Sequence, residues 1–222
     1  MFGLVRGPLV WVSLIAFGLG TFIQVLRFFA LSRKAAVAPR VPPLSEKQGK
    51  IRPSLSGLQN LLRDARNTVL GVYPVTIIVT TVFHICLILL PLFLLGHNVL
   101  LELTLGVSLP SVAERVSDML TLIFLACSAF LLGRRIFLPR VRAITSFYDY
   151  LVLTLATVPF LSGFLGYHQI LDYRMVMIVH MLSGELMLIA IPFTKLTHMV
   201  FFFLNRFLAV NEHTLGKGRR AW

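Results

Sequence analysis

Charge is scarce in this chain, and acidic charge scarcer still. Charged residues make up 14% of the 222, and only 9 residues are Asp or Glu. A soluble domain carries about 25% charged residues, so a soluble enzyme with a short anchor is excluded. Cysteine is nearly absent. Cys86 and Cys127 stand singly inside apolar runs, with no CxxC and no CxxCH, so this chain encodes neither an iron–sulfur centre nor a covalently attached c-type haem. Both read as small core residues. The sequence also lacks an internal repeat, a catalytic nucleophile in a recognisable setting and the ligand spacing of a metal hydrolase. No small-residue cleavage site follows the apolar run near the N-terminus, which is expected to be a retained first span.

What the chain has in quantity is apolar surface. Hydrophobic residues are 57% of the total and the mean hydropathy is +0.83. Five segments are long enough to cross a membrane, over about 9–31, 73–101, 116–133, 147–165 and 173–204. The expected fold class is an all-α, five-helix membrane bundle forming one domain over 1–222. The net charge of +12 is not a nucleic-acid signal in such a chain, because basic residues collect in loops held on the cytoplasmic side.

Loop charge sets the expected orientation. The loops after the first and third spans and the C-terminal tail carry sixteen Lys and Arg, including Arg134, Arg135, Arg140 and Arg142. The opposite side has only Arg6, Arg115 and Arg174, accompanied by Glu102, Glu114, Asp118 and Asp172. The N-terminus is therefore expected outside and the C-terminus in the cytoplasm. In the long first loop, the stretch SLSGLQNLLRDARNTVLG suggests a short amphipathic helix, either on lipid headgroups or as a docking surface for a cytoplasmic partner.

Six histidines are present, four of them in or at the ends of spans: His84 and His97 on the second, His180 and His198 on the fifth. Ionisable groups in a span are costly, and their default reading is functional. The eighteen residues from His180 to His198 are five turns, about 27 Å on one straight helix, so both rings would leave one face. Depth from the expected topology pairs His84 with His198 on the inner side and His97 with His180 on the outer side. Two imidazoles clamping an iron macrocycle make a low-spin electron-transfer haem with no open position. His84 and His97 are thirteen residues apart, about 220° around an ideal helix, so a kink at Pro91 or a helix end near Gly96 is expected between them. Each histidine can equally be read as a hydrogen-bonded packing residue. His168, in the loop GYHQILDY, and His213, in the tail, are read that way.

The stretch GRRIFLPRVRAITSFYDYL resembles the connection between the third and fourth spans of the gamma subunit of respiratory nitrate reductase, a five-span dihaem cytochrome b. The shared pattern is Arg134, Arg135, Phe137, Pro139, Arg140, Val141, Arg142, Ala143, Thr145 and Asp149. The resemblance continues in His180, Gly184, Pro192, Phe193, Leu196 and His198, in Phe83-His84-Ile85 and in Gly96-His97. The wording IPFTKLTHM is similar to a branch of the family found in membrane complexes of sulfate-reducing bacteria and heterodisulfide reductase-like complexes. The resemblance implies two non-covalent haem b groups and quinone chemistry (menaquinone or ubiquinone) near the outer haem. It further implies electron exchange with a cytoplasmic iron–sulfur subunit. Further membrane subunits and a periplasmic multihaem cytochrome c are the remaining expected partners, besides membrane lipid. The expected location is the cytoplasmic (inner) membrane of a prokaryote.

Among the other charged residues, Lys195 is expected either at a haem propionate or snorkelling to the interface. Arg134 and Arg142 are expected to serve topology first and propionate binding second. Glu185 either exchanges a proton with a quinone oxygen or sits protonated and hydrogen-bonded. A non-redox scaffold or transporter, with the histidines in packing or proton relay, stays open as the alternative. A membrane-integral metal enzyme is disfavoured by the lack of acidic ligands near the four histidines.

Overall fold

The computed structural model describes residues 3, 5–35 and 73–209. The loop after the first span, with its expected amphipathic helix, and the tail with His213 lie outside the described residues. Every regular element among the described residues is helical. Five helices are long and apolar enough to cross a membrane: Gly7–Leu31, Pro74–Phe93, Glu114–Phe137, Phe147–Tyr167 and Tyr173–Phe193. In hydrocarbon every backbone N–H and C=O must be satisfied within its own segment, which is why β-branched runs such as VTIIVTTVF take up helix here. Large apolar side chains such as Leu19, Phe22, Ile78, Met119 and Leu161 stand exposed along these helices, a surface that lipid solvates and water does not.

The chain divides into two compact units, Met1–Ala38 with Ser146–Trp222, and Pro39–Thr145. In the first, a π-helical turn at Val5–Leu9 leads into α1, Val10–Ala35. The other helices of this unit are α6 (Phe147–Tyr167), α7 (Tyr173–Phe193) and α8 (His198–Ala209). In the second unit are α2 (Pro74–Phe93), α3 (Leu95–Leu105), α4 (Glu114–Phe137) and the short α5 (Pro139–Ala143).

In the first unit α7 packs against both α6 and α1. Its contact with α1 depends on Gly20, where an added Cβ would lie 2.7 Å from Pro192 Cγ. Gln24 then donates from Nε2 to the Pro192 carbonyl at 2.8 Å. Helix α6 opens with a capping box in which the Asp149 carboxylate accepts from the Ser146 N–H at 2.8 Å and from its hydroxyl at 2.7 Å.

In the second unit α2 and α4 pack through stacked Phe83 and Phe124, with ring centroids 4.8 Å apart, beside buried Cys86, Cys127, Ser117 and Ser128. Small residues at such an interface let helix backbones approach closely, the usual basis of packing where lipid removes the hydrophobic drive. Proline at the first position starts α2 without losing a useful donor. Helix α3 stops at Gly106, whose φ of 69° is left-handed. The chain then doubles back: Val112 donates to the Phe93 carbonyl at 2.9 Å, and Leu109 to Asn98 Oδ1 at 3.2 Å.

Two expected spans are interrupted. The second was expected as one segment over 73–101 with its bend at Pro91 or Gly96; instead the helix ends at Phe93, Leu94 is extended, and Gly96 lies in the first turn of α3. Pro91 weakens the last turn of α2 by removing a donor, and the break follows within one turn. The fifth was expected as one straight helix over 173–204. Pro192 again precedes the break: α7 ends at Phe193, Thr194 is extended, and a 3-10 turn at Lys195–Thr197 leads to α8. The hydroxyl of Thr197 donates to the Ile191 carbonyl at 2.8 Å and to the Thr194 carbonyl at 2.7 Å, replacing backbone partners lost there. The rise of about 27 Å and the shared face expected for His180 and His198 on one helix therefore do not hold.

Candidate functional site

The four histidines share one feature of geometry. His84 Nδ1 lies 2.7 Å from the Thr80 carbonyl, one turn back on α2. His97 Nδ1 lies 2.9 Å from the Pro91 carbonyl, across the break at Leu94. In an unbroken helix that carbonyl would take the Leu95 N–H, so the break itself creates the acceptor for His97. His180 Nδ1 lies 2.8 Å from the Pro159 carbonyl of α6. His198 Nδ1 lies 2.6 Å from the Lys195 carbonyl in the 3-10 turn. A backbone carbonyl only accepts, so Nδ1 is the donor in each of the four bonds. An Nδ1–H to carbonyl bond is the usual second contact of a metal-ligating histidine, setting its tautomer and the plane of its ring.

His180 is placed by tertiary packing as well. An ideal Cβ on Gly163 would lie 3.0 Å from its Cε1 and 3.2 Å from its Nδ1, so only glycine lets the ring sit this close to α6. Ser162, whose hydroxyl donates to the Val158 carbonyl at 2.7 Å, stands 3.4 Å from His180 Nδ1. Gly184, one turn beyond His180, and Gly96, beside His97, would each place a Cβ with nothing within 4 Å. The donor set, four imidazoles each held through Nδ1, is of a chemistry that fits haem iron.

The other sequence candidates are spread along the two units. Lys195 Nζ donates to Asp149 Oδ1 at 2.7 Å and lies 5.3 Å from the Tyr148 ring centroid. This cation, expected at a propionate or the interface, ties the 3-10 turn to the start of α6. Arg134 and Arg135 end α4 and Arg140 and Arg142 lie in α5, four cations at one end of the second unit. They also complement the negative end of the α4 dipole. His168 caps α6, its ring 4.4 Å from Phe164 and 5.1 Å from Tyr167, a packing role. Glu185 is buried in α7, and neither carboxyl oxygen has a hydrogen-bond partner among the described residues. An apolar pocket of about 250 Å³ in the second unit is lined by Leu89, Leu90, Phe93, Val112, Ser117 and Leu120. Among the described residues no three His, Cys, Asp or Glu side chains gather as a multidentate metal centre.

Sequence reading found the four histidines but missed the groups that orient them. Pro159 and Gly163 were the available signal: a proline and a glycine four residues apart in a helix mark a face where another element approaches closely.

Five membrane-length helices, carrying four histidines that each bond a backbone carbonyl through Nδ1, define a multi-pass helical membrane protein. The chain belongs to the same family as a curated protein of Nitratidesulfovibrio vulgaris (strain Hildenborough), which carries only the name "Protein". The two are 34% identical over 226 residues, covering 98% of this chain and 96% of that one. No protein-family model matches the chain, and no solved structure matches it significantly.

Proposed function

We propose that this chain is the membrane cytochrome b subunit of a prokaryotic respiratory redox complex, similar to the gamma subunit of nitrate reductase. Two non-covalent b-type haems pass electrons between a quinone pool or outer cytochrome and a cytoplasmic iron–sulfur subunit. The observation that carries this reading is the common bonding of His84, His97, His180 and His198 through Nδ1 to backbone carbonyls, the second contact that a metal-ligating histidine usually makes. Haem iron, when bound, supplies one-electron transfer between its ferric and ferrous states. The chain's own residues hold each ring in tautomer and plane, and the exposed apolar surface keeps the site in lipid.

Pairing by depth, His84 with His198 and His97 with His180, follows from the sequence, as does the orientation with the N-terminus outside and the C-terminus in the cytoplasm. The apolar pocket between α2 and α4, at the end of α2 nearest His97, suits the ring of menaquinone or ubiquinone, with the Ser117 hydroxyl as its polar side-chain group. The test is a reduced-minus-oxidised spectrum with a pyridine haemochrome assay on purified, folded protein. Two b-type haems per chain support the reading. Folded protein without b-type haem overturns it and leaves the non-redox scaffold or transporter.

A further inference from the structure

One titratable group in the membrane interior is left unused by haem ligation. Glu185 is 6% exposed, and both its carboxyl oxygens lack hydrogen-bond partners among the described residues. A carboxylate in that setting is costly unless a proton or a nearby positive charge compensates it.

Helix register says what lies opposite. Gly20 of α1 faces Pro192 of α7, and the turn at Val5–Leu9 also touches α7. An antiparallel α1 would carry that turn past the end of α7, so the two helices run parallel. Two turns back from Gly20 is Ser13, and two turns back from Pro192 is Glu185; seven residues return to nearly the same face. Ser13 is fully buried, its hydroxyl bonded to the Val10 carbonyl at 2.8 Å. Further along the same buried face of α1 come Thr21, whose Oγ1 is buried without a partner among the described residues, and Gln24, bonded to the Pro192 carbonyl. Glu185 thus lies at the level of Ser13 on the α1–α7 seam, with Thr21 and Gln24 about 12 and 16 Å further along α1. Glu185 is five residues beyond His180, about 7.5 Å along the axis and about 140° around it.

The charged groups on the elements around it stand away from its level. Arg6 lies in the turn before α1, and the cations on α1 itself are Arg27, Arg33 and Lys34, about 21 Å or more beyond Ser13; on α6 the titratable groups are Tyr148, Asp149 and Tyr150 at one end and Tyr167 at the other. Lys195 in the turn after α7 is engaged with Asp149. On α7 itself His180 is the nearest, with Tyr173 and Arg174 in the first turn beyond it. The charge that changes nearest to Glu185 is then that of the iron held at His180.

We propose that Glu185 is a proton site coupled to the redox state of the group at His180. The inference rests on the haem reading above. One electron from a quinol or reduced cytochrome would reduce a haem held at His180 and add one negative charge to the interior. One proton from the aqueous phase converts the Glu185 carboxylate to the acid, and the net charge of the interior is unchanged. Linkage makes the effect reciprocal: if reduction tightens the hold on the proton, a rise in pH must lower the midpoint potential.

The experiment is a redox titration of the full-length haem-loaded protein across pH, in lipid nanodiscs, on wild type and Glu185→Gln, with His180→Ala identifying the haem concerned. The wild-type midpoint of that haem is expected to fall as pH rises, towards the ~59 mV per tenfold change in proton activity of a one-electron, one-proton couple. Glu185→Gln is expected to flatten the slope while the other haem keeps its own profile. Glu185→Asp, which retains a carboxyl group, is expected to keep a slope, and serves where the glutamine variant fails to load haem. Equal slopes in wild type and Glu185→Gln, or loss of the slope in Glu185→Asp with haem retained, overturn the proposal and leave the haem reading standing. Wild-type protein without haem overturns both.

Discussion

His180 and His84 do the same thing by different means. His84 bonds the carbonyl of its own helix one turn back, and His97 the carbonyl exposed by a break six residues before it. His180 reaches across to a second helix, to a carbonyl 21 residues away, and is pressed against a glycine of that helix. The second unit therefore orients its histidines from local backbone, and the first unit orients His180 by packing. A local arrangement survives loosening of its neighbours, whereas a packed one depends on two helices keeping their separation to within a few tenths of an ångström.

The strongest break of this comparison is removal of a proposed haem ligand. His180→Ala is expected to remove one haem of two, halving haem per protein in a pyridine haemochrome assay, while the remaining haem keeps its spectrum. A smaller effect is expected from Phe124→Ala in the second unit. Phe124 is fully buried and stacked on Phe83. Lipid removes most of the transfer contribution, so the cost is mainly the void, roughly 100 Å³ and about 2 kcal/mol at about 24 cal/mol per Å³. Thermal unfolding in detergent measures it. If His84 is held locally, its haem persists in the protein that remains folded.

Gly163→Ala sharpens the contrast more directly. The added methyl meets the His180 ring at 3.0 Å, so the ring or α6 must shift, at a cost of about 1–3 kcal/mol. Partial loss or spectral broadening of the haem at His180 is expected. Gly96→Ala, with nothing within 4 Å of the new methyl, is expected to leave haem content at the wild-type level. Equal losses in both variants would remove the distinction between packed and local orientation. The smallest effect is expected from Lys195→Ala. Its ammonium is largely exposed, and exposed ion pairs contribute little. Haem content and melting temperature should stay within error of wild type; a selective loss of the haem at His198 would instead assign Lys195 to that site.

Much of the fold was legible because lipid imposes a simple rule on sequence. Segments such as Phe147 to Leu165 have few ways to satisfy their backbone except as helix, and the observed helix, Phe147–Tyr167, differs at its end by two residues. The breaks at Leu94 and Thr194 were only half legible. Pro91 and Pro192 announced a disturbance, but proline permits a kink as readily as a break. Which occurs depends on partners brought by other segments: Val112 returning to the Phe93 carbonyl, and Gln24 donating to the Pro192 carbonyl. For the same reason the histidines were found while their orientation was not. A costly polar residue in an apolar run is visible in one dimension, whereas the carbonyl of Pro159 and the space beside Gly163 exist for His180 only once α6 lies against α7.

The sequence by itself determined the solvent of this protein, the number of its crossing helices and the residues too expensive to be there without a partner, because hydrophobicity and charge act on each segment separately. Only the tertiary structure decided where two of the long segments stop being helix, which nitrogen of each imidazole bonds a carbonyl, and that Glu185 is buried without a donor among the described residues. Those outcomes depend on atoms from distant parts of the chain meeting at hydrogen-bond distance, and no periodicity along one segment carries that information.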